Sequence, residues 1–138
     1  MTLNENSSRE EIINYIKAHP YHFLLSFSDK PWAQPYLDKA AKVVVKKDPF
    51  YFLYNYSNKP WAQPYIDVAA KGTAKENPIN FLNYFSSKPW AELYIDEAAK
   101  EAAKKDPKYY LKHLVDRFPQ GINLALFALG GKNDSKWK

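Results

Sequence analysis

A unit of 29 residues repeats along this chain. Pro31-Trp32-Ala33-Gln34-Pro35-Tyr36 recurs unchanged as Pro60-Trp61-Ala62-Gln63-Pro64-Tyr65, and in altered form as Pro89-Trp90-Ala91-Glu92-Leu93-Tyr94. The register continues through Asp38, Asp67 and Asp96, and through Ala40-Ala41-Lys42, Ala69-Ala70-Lys71 and Ala98-Ala99-Lys100. It runs on through Asp48-Pro49, Asn77-Pro78 and Asp106-Pro107. His19-Pro20 stands one period earlier. Self-similarity at such a period marks supersecondary units that bury their apolar faces only by stacking.

Each unit reads as two helices. The shorter begins at the Asp/Asn-Pro step, where the side-chain oxygen can accept an unpaired N–H and proline fills the first helical position. Phe52, Leu53 and Tyr56 then form its apolar stripe. The second helix carries Trp61, Tyr65, Ile66, Ala69, Ala70 and Ala74 at helical rather than alternating spacing. Asp29, Asn58 and Ser87 are its candidate N-caps. Pro35 and Pro64 leave two readings of its start. Either the helix begins at Pro31 or Pro60 and kinks, or a short turn precedes a helix starting at the second proline. Leu93 in the third copy predicts no kink there.

The expected fold is therefore all-α, a short solenoid of about three helix-pair units. One domain spans 1–129: an N-terminal half-unit over 8–30, repeats over 31–59, 60–88 and 89–117, and a C-terminal cap over 118–129. A flexible, polar tail is expected over 130–138. Four glycines in the whole chain argue against a β-rich fold with many tight turns. The ten prolines need a positional explanation, and the repeat supplies one.

At architecture level the chain resembles HEAT-like helical-hairpin arrays. It is also similar to uncharacterised bacterial arrays that repeat a Pro-Trp-Ala helical motif. The resemblance covers Ser8 to Leu114, and it implies a scaffold or partner-binding surface rather than a reaction.

The absence of cysteine excludes disulfides and thiolate chemistry. No nucleotide-binding, zincin or nucleophile-elbow motif is present, and no enzyme activity or cofactor is expected. His19 and His22 stand at i, i+3, but His19 occupies an N-cap slot and no third ligand is near in sequence, so no metal site is expected. The N-terminus lacks an apolar leader and no run is long enough to span a bilayer, which predicts a cytoplasmic protein without a membrane partner.

The repeated Trp32, Trp61 and Trp90, with Tyr36, Tyr65 and Tyr94, could stack on bases or sugars. Their placement on the apolar face makes them the structural core of the repeat instead. Asp38, Asp67 and Asp96 each precede a lysine by four residues, the favourable order for an ion pair.

The net charge of +5 comes almost entirely from lysine. Lys42 and Lys46, Lys71 and Lys75, and Lys100 and Lys104 recur near the ends of the long helices, where cations also complement the helix dipole. They are candidate contacts to phosphates or an acidic partner. Positions that vary between copies, such as Tyr54/Asn83/Lys112 and Lys39/Val68/Glu97, are where a partner would be read. Tyr54 is the first candidate anchor. The leading expectation is a non-catalytic scaffold with a protein partner. Its alternatives are a solenoid that binds nucleic acid through a lysine ladder, and a structural segment of a longer array able to associate end to end.

Overall fold

The computed structural model describes residues 2–130. Apart from Gly130, the tail expected over 130–138 lies outside the described residues. Among these residues the chain is all-α, with no strand. Four short helices begin 29 residues apart: α2 (Pro20–Phe27), α4 (Pro49–Tyr56), α6 (Pro78–Phe85) and α8 (Pro107–Tyr109). Helix α1 (Arg9–Ala18) precedes them. The long helices α3 (Leu37–Lys47), α5 (Gln63–Glu76) and α7 (Ile95–Lys105) alternate with them, and α9 (Ile122–Ala128) follows.

Proline marks the helix starts. Pro20, Pro49, Pro78 and Pro107 open the short helices, and Pro31, Pro60, Pro89 and Pro119 open 3₁₀ turns. In that first turn the N–H has no intrahelical partner to lose. Asp48 and Asp106 accept the backbone N–H of Tyr51 and Tyr109 at 3.0 and 3.1 Å. Asn77 and His19 occupy the same slot without a side-chain cap bond.

A 3₁₀ turn precedes the long helices, as in the second reading of the sequence, and the helix starts within two residues of the second proline. A 3₁₀ segment spans Pro31–Tyr36, with Pro35 inside it, and α3 begins only at Leu37. The third copy does the same over Pro89–Tyr94, although Leu93 replaces the proline. In the second copy the 3₁₀ turn is short and α5 starts at Gln63, with Pro64 harmlessly at its second position. The second proline thus does not decide where the helix begins. Asp29, Asn58 and Ser87 are not N-caps: Lys30, Lys59 and Lys88 hold those positions and make no side-chain cap bond. Instead the Gln34 amide donates to the Ser28 and Lys30 carbonyls at 3.0 and 2.9 Å, satisfying acceptors left open where α2 ends.

The chain groups into two compact units, Met1–Ala69 and Ala70–Lys138, the division falling within α5. In the first, α3 packs on α2 and α4, and α1 on α2. Its interior holds Ile16, Phe23, Leu24, Ala40, Ala41, Val44, Phe52 and Leu53, all fully buried. Ser8 opens α1 with a reciprocal cap: its hydroxyl accepts from Glu11 N–H while the Glu11 carboxylate accepts from Ser8 N–H.

In the second unit α7 packs on α6, on the 3₁₀ turn Pro119–Gly121 and on α9. The buried side of α7 is entirely alanine (Ala98, Ala99, Ala102, Ala103). This lets the backbone at Gly121 approach so closely that a Cβ there would lie 2.8 Å from both the Ala103 Cβ and the Ala99 carbonyl oxygen. After α8 the helical pattern changes to a π turn over Tyr110–Leu114.

Candidate functional site

The tryptophans form one local arrangement three times. Trp32 lies 5.4 Å from Phe27 and 6.4 Å from Phe23, ring centroid to centroid. Trp61 stands 5.3 Å from Tyr56 and 5.9 Å from Phe52, and Trp90 5.6 Å from Phe85 and 6.3 Å from Phe81. Each half-buried indole closes the turn over the short helix before it. Tyr36 and Tyr65 are half-buried, and Tyr94 is buried. The ring pairs are tilted or edge-to-face, so each indole packs into the aromatic cluster of the preceding short helix.

The Tyr65 hydroxyl donates to Asp38 at 2.6 Å, across nearly one repeat. Lys42 also reaches Asp38, at 3.0 Å. The tyrosine bond, and then the lysine, hold the Asp38 carboxyl below the usual carboxylate range. Burial, with the same bond, pushes Tyr65 up to about 12.

All six candidate lysines are exposed. Lys42 and Lys46 lie in the first unit; Lys71, Lys75, Lys100 and Lys104 lie in the second. Lys104 pairs with Glu101 at 3.1 Å, and among the described residues the two ion pairs are this one and Lys42–Asp38. The expected pairs Asp67–Lys71 and Asp96–Lys100 do not form; Asp96 accepts from Gln120 instead, at 2.8 Å. Lys105 donates to the Glu76 carbonyl at the end of α5, at 3.0 Å. On α7 the lysines alternate with Glu97 and Glu101, so the field along that helix is mixed in sign.

Tyr54 is 61 % exposed on α4. One period earlier on α2 stands Leu25, 66 % exposed, which sequence reasoning passed over. Its signal was available: position 25 is in register with 54 and carries a large apolar residue outside the stripe formed by Phe23, Leu24 and Phe27. Beside Leu25 runs a groove of about 330 Å³ between the ends of α2 and α4, lined by Ser28, Lys30, Asn55, Tyr56 and Lys59 among others. The Tyr21 and Tyr51 rings lie 5.1 Å apart, tilted at 43°.

A polar cluster on α1 and α2 also went unread. His22 Nδ1 pairs with the Tyr15 hydroxyl, and His22 Nε2 lies 3.1 Å from Ser26 Oγ. A serine beside a histidine has nucleophile-and-base geometry; both lie within α2, where the Ser26 N–H stands past the first turn and is engaged in the helix. Among the described residues no three His, Cys, Asp or Glu side chains converge on a metal position. No helix there is long and apolar enough to cross a membrane.

No family model matches this chain, and no curated protein or solved structure is significantly similar to it.

Proposed function

We propose that this chain is a non-catalytic helical-repeat scaffold of the HEAT-like kind. Its 29-residue helix pairs stack into a short solenoid, and it binds a protein partner through the outward side of the short helices α2 and α4. The observation that carries the reading is the pair Leu25 and Tyr54. One repeat apart, both have more than half of their surface in water, and Leu25 lines a groove. Large apolar and aromatic side chains spared from the core and held on rigid helices are the usual anchors of protein interfaces. The Trp and Phe layers beneath them hold the presenting helices in place.

The reading is tested by affinity isolation with quantitative mass spectrometry, comparing the wild type with the double variant Leu25→Asp/Tyr54→Asp. Both positions are exposed, so helix content and melting should be nearly unchanged. A defined set of partners lost in the variant is the expected result. The same partners retained by a folded variant would sink it.

A second reading, nucleic-acid binding through phosphates, is favoured by Lys46, Lys71, Lys75 and Lys100, which are exposed and outside the ion pairs. Oligonucleotide anisotropy at about 50 and 200 mM salt separates the two, because phosphate-driven affinity falls steeply over that range. Salt-sensitive micromolar binding that weakens in Lys71→Glu/Lys75→Glu would put this second reading first.

A further inference from the structure

The groove beside Leu25 carries charge that the helices around it lack. Neither α2 nor α4 contains an Asp, Glu, Lys or Arg. The groove lies where both helices end, and its lining includes Lys30 and Lys59, one repeat apart, with Asp29 next to the first. Both lysines are exposed, and neither belongs to an ion pair among the described residues. A lysine at a helix end is ordinarily explained by the carbonyls there, as with Lys105, which donates to the Glu76 carbonyl. That explanation does not apply here. The Gln34 amide already takes the Ser28 and Lys30 carbonyls, and neither lysine makes a bond of the Lys105 kind.

In the second unit the chain uses the equivalent residues on itself. Two repeats on from Ser28 and Lys59 stand Ser86 and Arg117. There the Arg117 guanidinium donates to Ser86 Oγ at 3.2 Å and lies 4.8 Å from the centre of the Phe118 ring. In the first unit Ser28 and Lys59 line the groove without such a bond. The groove holds about 330 Å³, the small end of the range of ligand pockets, about 300–1,000 Å³. That is room for one or two side chains of an extended segment rather than for a folded surface. Leu25 offers it an apolar contact, and the two ammonium groups favour carboxylates. A nucleic-acid strand fits less well, because it places a negative charge at every nucleotide and Asp29 stands in the lining. We infer that the groove seats an extended acidic segment of the protein partner, with an apolar side chain against Leu25 and carboxylates at Lys30 and Lys59. This deepens the reading of α2 and α4 as the partner surface and rests on it.

Selection of a displayed library of random dodecapeptides on the full chain tests this, with fluorescence anisotropy of the selected peptides as the readout. The selected peptides should carry Asp and Glu around a large apolar residue. Their affinity should fall roughly tenfold or more in Lys30→Glu/Lys59→Glu, since a reversed charge repels the segment it formerly attracted. It should fall less in Lys30→Gln/Lys59→Gln, and also when the peptide acids are replaced by Asn and Gln. Neither lysine side chain makes a cap bond, so helix content should be retained in both variants. Basic or uncharged peptides, or no binder at all, would overturn the inference. So would a single-stranded oligonucleotide that binds at these two lysines where no acidic peptide does. Peptides lost in Leu25→Asp/Tyr54→Asp but kept in Lys30→Glu/Lys59→Glu would remove the acidic segment and leave the partner surface standing. Peptides kept in both variants would remove both.

Discussion

The Tyr110 hydroxyl accepts the backbone N–H of Gly121 at 2.9 Å and donates to the carbonyl of Phe118. Tyr110 stands where the earlier copies have Phe23, Phe52 and Phe81, and like them it is fully buried. The added hydroxyl serves the one place where the repeat ends and the chain must turn into α9. Tyr110→Phe restores the residue of the other copies but leaves a buried donor and acceptor without partners. It should cost about 1–3 kcal/mol. Denaturant unfolding measures this; a neutral substitution would mean that the hydroxyl does not hold the turn.

The opposite sign is expected at Tyr56. Its buried hydroxyl makes no well-formed hydrogen bond, with the Tyr51 hydroxyl nearby but outside good geometry, and burial, then Tyr51, pushes its pKa far above that of an ordinary tyrosine. The equivalent positions hold Phe27 and Phe85. Tyr56→Phe removes an unsatisfied group at little cost in volume, so stability should be unchanged or rise by up to about 1 kcal/mol. A loss larger than that in a thermal melt would show that the hydroxyl has a role the geometry does not explain.

Equivalent caps should not be equal in effect. Asp48 accepts the Tyr51 N–H, whereas Asn77 makes no cap bond. Asp48→Ala should therefore cost about 1 kcal/mol, and Asn77→Ala clearly less. Unfolding curves of the two variants check the order; equal losses would remove the cap bond as the cause.

The Asp38–Tyr65 bond predicts opposite pH windows for its two partners. The folded Asp38 carboxyl titrates below its unfolded value, so its contribution is present above the unfolded pKa and lost as pH falls through the folded one. Tyr65 is raised to about 12, so its contribution is intact below about 10 and is lost as pH climbs toward the folded value. Tyr65→Phe should melt below the wild type at neutral pH, and the gap should close at both extremes. A gap constant from acid to alkali would contradict the assignment.

Much of this was legible in the sequence because the repeat supplies its own control. An X-Pro step that returns every 29 residues fixes where the short helices start, and Phe52-Leu53 with Phe81-Leu82 fixes which side they bury. The entry to the long helices was less legible. Whether a turn adopts 3₁₀ or α geometry depends on small differences in local packing, and the Pro35, Pro64 and Leu93 copies do not sort by the residue present. The lysine register was visible too, but not the acids that interleave with it on α7 or the carbonyl that Lys105 takes. Leu25 was missed although its register with position 54 marked it. Apolar residues in an apolar-rich segment read as core until their neighbours are placed.

The central claim is that a protein partner is held on the outer side of α2 and α4. Photo-crosslinking in cells tests it most directly, with a photoreactive phenylalanine replacing Leu25 or Tyr54 in turn, and Lys46 or Lys75 as comparison positions. The account predicts a discrete protein adduct from positions 25 and 54 that resists nuclease and is absent from 46 and 75. Adducts confined to 46 and 75 and erased by nuclease would contradict it.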